Sequence, residues 1–275
     1  ALAALNEEVI TPEKKILSTG SLSVPNPYVP GEVTVFRDWK AHGWTNMREA
    51  IAVSSDVYFY QVGGGFEDQP GLGISRIGEY MRYFGFGAPT GVDLQAEAAG
   101  VIPNPAWKKE HFDGEDWYLG NTYHTAIGQY GFQITPLQLA RGIAAVASDG
   151  RLLTPTVRLV ASGEEAVYQM VPEVKTKYYQ IVREGMRLGV ENGTASGLNT
   201  RAVEVAAKTG TAELGVSKGK VNSWATGFWP YRSPRYSFAV VMEAGDRGNT
   251  IGSVYVMRQF FDWLALERPE YLSTN

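Results

Sequence analysis

Cysteine is absent from the 275 residues of this chain. Its absence excludes disulfide bonds, thiolate metal ligands and a cysteine nucleophile, although it does not fix the cellular compartment. Long apolar runs are also missing, because none approaches the roughly 18 residues that a membrane-spanning helix needs. The longest candidate, residues 237–244, is typical of a strand in a hydrophobic core.

Basic runs are scarce as well. Lysine and arginine together number 25 against 29 aspartates and glutamates, which gives a net charge of −4. We therefore predict no nucleic-acid partner. No signal peptide is predicted within this sequence, which does not begin with methionine, and its first residues, Ala-Leu-Ala-Ala-Leu, are typical of the middle of a helix. We expect a fragment whose first helix has lost its initial turns.

The remaining composition is that of a globular protein, since 44% of the residues are hydrophobic and 12% are aromatic. Helices are predicted over residues 1–8, 47–53, 57–62, 74–84, 136–147, 172–190 and 252–266. Residues 16–44 are predicted as loop with short strands, and residues 86–133 as mostly loop. Runs at 203–214, 223–230 and 236–244 predict an antiparallel meander. The order indicates an α+β fold, with a mostly helical part followed by a small sheet that a helix closes.

The stretch Lys208-Thr209-Gly210-Thr211 lies in one of these predicted strands. Its cation and two hydroxyls suit the binding of a carboxylate, and its glycine lets another backbone lie close alongside. A Lys-Thr-Gly triplet is expected by chance in roughly one chain in twenty of this size. By itself, it is therefore equally consistent with an ordinary edge strand.

The triplet Ser54-Ser55-Asp56 separates two predicted helices. The simplest interpretation is an N-cap for the second helix, because serine and aspartate favour that position. The functional interpretation requires a hydroxyl and a carboxylate that face a cleft. Ser54 and Asp56 are two residues apart, so an extended or turn backbone would direct both to the same side.

Taken with their neighbours, these motifs give the chain a resemblance to the transpeptidase domain of class B penicillin-binding proteins, of the penicillin-binding protein 2 type that acts in cell elongation. The resemblance covers nearly the whole chain and includes the Ser-x-Asn/Asp and Lys-Thr/Ser-Gly motifs of the family. The matching segments are residues 4–5, 9–11, 36–40, 42–43, 54–60, 84–87, 90–94, 107–108, 127–129, 135–138, 192–195 and 208–212.

The resemblance implies the penicillin-binding and serine β-lactamase fold, whose antiparallel sheet has five strands. Two of those strands precede the family's Ser-x-x-Lys nucleophile motif, and about three are recognisable here. We therefore expect one transpeptidase domain over residues 1–275 that lacks its N-terminal part, with Ser-x-x-Lys just before Ala1. The apolar run 238–242 would then have an open edge, which predicts lower stability than that of the whole domain.

Two segments match the letters of Ser-x-x-Lys but not its geometry. The motif needs a helix, because its lysine must lie one turn after its serine on the same face. Residues 217–220 (Ser-Lys-Gly-Lys) lie in a predicted turn with glycine inside it. Residues 11–14 (Thr-Pro-Glu-Lys) follow a helix instead of opening one. Both are predicted to be solvated turns.

In the family, the serine hydroxyl attacks the carbonyl of a peptide that ends in D-Ala-D-Ala, releases D-Ala and forms an acyl-enzyme. An amine of a second peptide then takes the acyl group and cross-links peptidoglycan. The resemblance implies that Ser54 relays a proton to the leaving nitrogen and that Asp56 holds the side amide of the substrate or the lysine of the nucleophile motif. Lys208 would supply positive potential and orient Ser54.

The substrate-binding residues implied by the resemblance are Thr209, Gly210 and Thr211. The two threonines would hydrogen-bond the substrate carboxylate, and the backbone N–H of Thr211 would be one of two oxyanion donors. The substrate would add as a strand along the edge at residues 208–212. Implied partners are peptidoglycan stem peptides, β-lactams and a membrane glycosyltransferase of the elongation complex. The implied location is the inner or plasma membrane, with the domain outside the cytoplasm.

No cofactor and no metal are predicted. His42, His111 and His124 are scattered along the sequence, so we expect surface or packing roles for them. Some relatives carry a zinc site that includes cysteine, which this chain cannot match. The order Gln129-Tyr130-Gly131 departs from the family's usual Gln-Gly-Tyr, so the local backbone there is not predicted.

Three tryptophans, Trp39, Trp107 and Trp117, lie in loop-rich segments, where they would line the substrate groove or pack in the core. Packing is the favoured interpretation. Two further functional hypotheses stay open beside the transpeptidase fragment, which is expected to be inactive alone. One is a non-catalytic penicillin-binding-like partner in the elongation complex. The other is a serine β-lactamase or β-lactam sensor domain, against which the long match to the elongation type argues.

Overall fold

The computed structural model describes residues 1–26, 29–161, 163–172, 174–215, 219–249 and 251–273. Helices dominate the first two thirds of the chain, and an antiparallel sheet with a closing helix follows, so the predicted α+β order is confirmed. The helices are α1 (Leu2–Asn6), α2 (Met47–Val53), α3 (Asp56–Gly64), α4 (Ile74–Tyr83), α5 (Pro105–His111), α6 (Leu119–Ala126), α7 (Pro136–Ala147), α8 (Thr176–Asn192) and α9 (Ser253–Glu267).

The strands are β1 (Ile16–Ser18), β2 (Ser21–Pro25), β3 (Val33–Arg37), β4 (Gly43–Thr45), β5 (Arg151–Leu153), β6 (Tyr168–Met170), β7 (Ala206–Leu214), β8 (Lys220–Trp229) and β9 (Tyr236–Asp246). In the described part of the chain they form three antiparallel pairs, β1 with β4, β2 with β3 and β5 with β6, and one three-stranded sheet. The order β7-β8-β9 and its antiparallel register, with Lys208 opposite Thr226, confirm the predicted meander. Each outer strand pairs only with β8 among the described residues, so both outer edges are open.

The close approach of α2, α8 and β7 fixes the geometry of the site. Glycine allows this approach, because a Cβ at Gly185 would lie 2.9 Å from the Cβ of Ile51 on α2. At the end of α8, a Cβ at Gly193 would lie 2.2 Å from the carbonyl oxygen of Ala52. The next residue, Thr194, donates its N–H to that same oxygen (3.1 Å). The end of α2 is therefore held firmly against α8, on which β7 also packs.

The prediction of mostly loop over residues 86–133 holds for most of that segment, but it missed two helices, α5 and α6, which lie within it. Asn104 caps α5 by accepting the N–H groups of Ala106 and Trp107, and Pro105 occupies the first helical position. The same cap-and-proline signature correctly predicted α7, where Thr135 accepts from the N–H of Gln138. The Asn-Pro pair at 104–105 was thus a usable signal for α5.

The segments 11–14 and 217–220 resemble the nucleophile motif in their letters. Residues 11–14 form a turn after α1, closed by the N–H of Lys14 donating to the Thr11 carbonyl (3.2 Å), so the predicted turn is confirmed. In the segment 217–220, Ser217 and Lys218 lie outside the described residues. The turn predicted there stays a prediction.

Candidate functional site

The break between α2 and α3 places Ser54 in a left-handed backbone conformation (φ 56°, ψ 53°). This region costs a non-glycine residue roughly 1–2 kcal/mol, so the surrounding contacts must hold it. Ser55, not Ser54, is the N-cap of α3, since its hydroxyl accepts from the N–H of Tyr58 (3.3 Å). Asp56 is the first residue of that helix. The capping interpretation therefore holds for Ser55 and leaves the Ser54 hydroxyl available for other contacts.

The hydroxyl of Ser54 meets the ammonium of Lys208, although the two residues are 154 positions apart. Lys208 Nζ lies 2.7 Å from Ser54 Oγ and also donates to the carbonyl of Thr209 (2.7 Å). The structure thus brings together two of the predicted catalytic residues. Asp56 lies near enough for the charge of Lys208 to act on its carboxyl group.

The predicted substrate-binding residues lie along the open edge of β7. The hydroxyl of Thr209 donates to the hydroxyl of Thr194 (2.7 Å), which ties the strand to the end of α8. Gly210 and Thr211 are exposed. A Cβ at Gly210 would meet only the side chain of Trp224, at an ordinary contact distance of 3.4 Å. No packing within the described residues therefore requires glycine at this position.

Burial sets the protonation of the two ionisable groups at this site. Loss of hydration raises the pKa of Asp56 from 3.8 to about 7; the charge of Asp38 adds to this rise, and Lys208 opposes it. Burial also lowers the pKa of Lys208 from 10.5 to about 8, while Asp56 works against that change. Both groups thus exchange protons close to neutral pH, which is the range in which proton relays are efficient.

The variant Asp56→Asn should gain stability relative to the native chain as pH rises from about 4 to about 7. The folded state binds the Asp56 proton more tightly than the unfolded state does, because the pKa is about 7 in the fold and 3.8 outside it. The native chain therefore loses stability as this proton dissociates, whereas asparagine has no proton to lose. Thermal melts of both proteins across this range measure the difference.

The control is Asp246→Asn, because Asp246 is an exposed residue paired with Lys220 on the sheet. Its difference from the native chain should stay small, because an exposed ion pair contributes about 0–1 kcal/mol. A constant difference between Asp56→Asn and the native chain from about pH 4 to 7 would contradict the buried, protonated carboxyl.

The carboxylate of Asp38 lies next to the serine break, as we call residues 54–55 between α2 and α3. No role of its own was predicted for Asp38 from the sequence. Its side chain is completely buried (0% exposed). Oδ2 accepts from the hydroxyls of Ser18 (3.1 Å) and Ser55 (2.9 Å) and from the N–H of Val57 (3.0 Å). This one oxygen therefore connects β1 to Ser55, which caps α3 and follows Ser54 in the sequence.

The other carboxylate oxygen of Asp38 organises the segment between β3 and β4. It accepts the backbone N–H of Trp39 (2.9 Å) and lies 3.3 Å from Nε2 of His42, whose side chain is 1% exposed. His42 thus packs against the carboxylate that binds Ser55, in keeping with the packing role predicted for it. An aspartate and a histidine four residues apart in a loop were the only sequence signal for this contact.

Trp39 has a different role from the one favoured on sequence. Its side chain does not pack in the core, since the residue is 55% exposed. Its indole N–H instead donates to the carbonyls of Val53 (3.2 Å), the last residue of α2, and of Ser54 (3.1 Å), the first residue of the break. The core-packing interpretation is therefore wrong for Trp39, which braces the Ser54 backbone at the rim of the site.

Metal binding finds no support in the residues that the structure describes. No group of three or more histidine, aspartate and glutamate side chains there is arranged to hold an ion. His111 Nδ1 lies 2.9 Å from the Trp107 carbonyl, and His124 packs near the ring of Phe36. The three histidines thus serve separate local structures.

These features define a class: α+β domains in which a lysine on an open edge strand meets a serine at a break between two helices. The chain belongs to the penicillin-binding protein transpeptidase family, because the model of the penicillin binding protein transpeptidase domain matches residues 1–260. Within the family it is of the penicillin-binding protein 2, or MrdA, type.

Relatives of known name support this assignment. Peptidoglycan D,D-transpeptidase MrdA of Acinetobacter baumannii is 34% identical over 265 residues, which cover 88% of this chain and 38% of that protein. The structure of Pseudomonas aeruginosa PBP2 in complex with WCK 5153 matches with a TM-score of 0.81 and 29% identity, covering 100% of this chain and 61% of that one. The complex of PBP2 and MreC from Helicobacter pylori matches with a TM-score of 0.79 and 31% identity, covering 96% and 47%.

The chain thus spans 38% of the length of the Acinetobacter relative. Within the described ranges, none of the helices combines the length and the apolar character needed to cross a lipid bilayer.

Proposed function

We propose that this chain is the substrate-recognition part of a peptidoglycan D,D-transpeptidase, which binds stem peptides and β-lactams through their carboxylate. The contact between Lys208 Nζ and Ser54 Oγ (2.7 Å) beside the open edge of β7 carries the proposal. A half-buried lysine gives a positive potential that water screens poorly, and the hydroxyl that it contacts is placed to pass a proton. The established activity of the MrdA relatives points to the same chemistry.

In this proposal, Lys208 orients Ser54, and Ser54 passes a proton to the nitrogen that leaves as the acyl-enzyme forms. The low pKa of Lys208, about 8, lets it share that proton at little cost. Asp56 holds the side amide of the substrate or the lysine of the nucleophile motif. Its raised pKa, about 7, also allows it to donate a hydrogen bond in its protonated form.

The substrate carboxylate would bind the hydroxyls of Thr209 and Thr211 near the Lys208 ammonium. The carbonyl of Thr211 accepts a hydrogen bond from Gln129, a residue outside the sheet, so we infer that this carbonyl points away from β8. In an antiparallel pair, the N–H and carbonyl of one residue point to the same side, so the Thr211 N–H also points outward. It is therefore available as an oxyanion donor, next to Gly210, whose missing side chain leaves room for the ligand.

The nucleophile of this reaction would be the serine of a Ser-x-x-Lys segment that precedes Ala1. Residues 1–275 would then form one transpeptidase domain together with that segment. From the family resemblance we also propose that the whole protein is anchored in the plasma membrane, with this domain outside the cytoplasm. Its proposed partner is a membrane glycosyltransferase. The Helicobacter relative was solved in complex with MreC, so a partner of that kind is proposed as well.

A fluorescent penicillin tests the proposal. Residues 1–275 alone should show no covalent labelling, whereas a protein extended upstream through Ser-x-x-Lys should be labelled. Stable labelling of the shorter chain would show that the nucleophile assignment is wrong. If the upstream sequence lacks Ser-x-x-Lys and the longer protein is not labelled, the alternative of a non-catalytic partner replaces the enzyme. Hydrolysis of the penicillin with rapid release would instead favour a β-lactamase.

A further inference from the structure

The side chain of Gln129 lies on the strand edge that the proposed ligand would use. Its amide Nε2 donates to the carbonyl of Thr211 (3.1 Å), although the two residues are 82 positions apart. The outward carbonyl of an open edge strand is the acceptor that an added strand needs. Gln129 therefore already makes a hydrogen bond that an incoming peptide N–H would make.

The backbone that carries Gln129 is fixed on both sides. Its own N–H donates to the carbonyl of His124 in α6 (2.9 Å). Farther along, Gln133 pairs with Val101 through two backbone hydrogen bonds (2.8 and 3.0 Å). The loop between these anchors thus has little freedom to move away from β7 as a unit.

Tyr130, next to Gln129, has a positive φ of 61°, which is unusual for an aromatic residue. A ring of aromatic side chains holds it there: it stacks on Phe112 and meets Trp117 edge-on, with centroids 5.9 and 5.6 Å away. Gly131 follows with φ 74°, and a Cβ there would lie 2.2 Å from the ring of Trp107. This aromatic packing fixes the point from which the Gln129 side chain reaches Thr211.

From this arrangement we propose that Gln129 is a specificity-determining residue of the peptide site, which occupies the Thr211 carbonyl until a ligand N–H replaces it. This inference rests on the proposed function of the β7 edge. Only the side chain has to turn, because its backbone is anchored. A ligand that donates an N–H to the Thr211 carbonyl replaces the hydrogen bond that Gln129 gives up. A ligand without a donor at that point leaves the carbonyl without this hydrogen bond. The site therefore selects extended acyl-amide ligands over carboxylates that merely match Lys208.

Loss of this competing hydrogen bond should tighten reversible binding. A net hydrogen bond of this kind is worth about 0.5–1.5 kcal/mol, which corresponds to roughly a two- to tenfold change in affinity. The variant Gln129→Met keeps the length of the side chain and removes its donor. In the upstream-extended protein, stopped-flow labelling with a fluorescent penicillin should show a dissociation constant for the reversible step that is about two- to tenfold lower. The rate constant of the acylation step should change less than twofold.

The matched control is Gln180→Met, since Gln180 is exposed on α8 and, among the described residues, its amide donates to Glu184 of its own helix. It should leave both constants at their native values. A dissociation constant that stays unchanged or rises in Gln129→Met overturns the inference; a rise means that Gln129 binds the ligand directly. Gln129→Ala provides a second variant, because it removes the same donor without adding a thioether.

The failure of this inference can be told apart from the failure of the proposed function. If Lys208→Met is labelled as fast as the native protein, the carboxylate site itself is wrongly placed, and the Gln129 inference falls with it. If Lys208→Met loses labelling while Gln129→Met binds no more tightly, the site stands and only the role of Gln129 is overturned.

Discussion

The variant Lys208→Met should acylate with a fluorescent penicillin about 100- to 1,000-fold more slowly than the native protein, in a form extended through Ser-x-x-Lys. Methionine keeps the apolar length of the side chain but loses the charge and the hydrogen bond to Ser54 Oγ. The ligand carboxylate then meets no cation, and Ser54 has no partner that orients its hydroxyl. Both effects act on the transition state, so the acylation rate constant should fall together with the affinity.

The fold should survive this substitution, which separates function from stability. The pKa of Lys208 is lower in the fold, at about 8, than its ordinary value of 10.5. The unfolded state therefore binds this proton more tightly, and the native protein loses stability as pH falls from about 10.5 to about 8. Lys208→Met should lack this loss and melt at least as high as the native protein at neutral pH.

Lys220→Met is the matched control, since Lys220 lies on the neighbouring strand β8 and pairs with the exposed Asp246 (2.6 Å). Its labelling rate should equal that of the native protein. Undiminished labelling of Lys208→Met would remove the lysine from the proposed mechanism, whatever the control shows.

The sequence predicted those parts of the fold that local patterns encode. Helix caps and apolar spacing located α7 and the break at residues 54–56, and short turns between apolar runs predicted the meander of β7, β8 and β9. The resemblance supplied the pair Ser54 and Lys208, which the structure places 2.7 Å apart. Helices α5 and α6 were missed because their glycine- and tryptophan-rich surroundings are typical of loops, even though Asn104 and Pro105 gave a start signal.

The support of the site could not be predicted, because it depends on contacts between distant segments. Asp38 has no periodic neighbours and no motif of its own, yet its carboxylate links β1 to the cap of α3. Trp39 was expected in the core because tryptophan is usually buried, but two backbone carbonyls at the break are the partners of its indole N–H. Gln129 likewise meets Thr211 only through the tertiary fold.

The variant Asp38→Ala should lower the free energy of unfolding by about 3 kcal/mol or more. The carboxylate is completely buried, so its removal leaves the hydroxyls of Ser18 and Ser55 and the N–H of Val57 without their acceptor. Each buried donor that loses its partner costs about 1–3 kcal/mol. Domains are stable by only about 5–15 kcal/mol, so this one change removes a large share of the total. Urea unfolding measures the loss.

The milder variant Asp38→Asn distinguishes support of the site from general stability. Its amide oxygen can take the position of Oδ2 and accept the same three donors, the hydroxyls of Ser18 and Ser55 and the N–H of Val57, while the new NH₂ group then faces the backbone N–H of Trp39. It should therefore lose less stability than Asp38→Ala. The negative charge of Asp38 helps to raise the pKa of Asp56, so Asp38→Asn should lower that pKa from about 7. The upper end of the pH window over which Asp56→Asn gains stability should then fall below about 7 when Asp38 is asparagine, while its lower end stays near 4.

Asp246→Ala is the control, because its side chain is 78% exposed in the ion pair with Lys220. Exposed ion pairs contribute about 0–1 kcal/mol, so this variant should unfold almost as the native chain does. Equal losses for Asp38→Ala and Asp246→Ala would contradict the buried support. If the pH window of Asp56 stays in place in Asp38→Asn, the two carboxylates do not interact. Asp38 would then hold the serine break through its hydrogen bonds alone, since its charge would have no effect on the proton of Asp56.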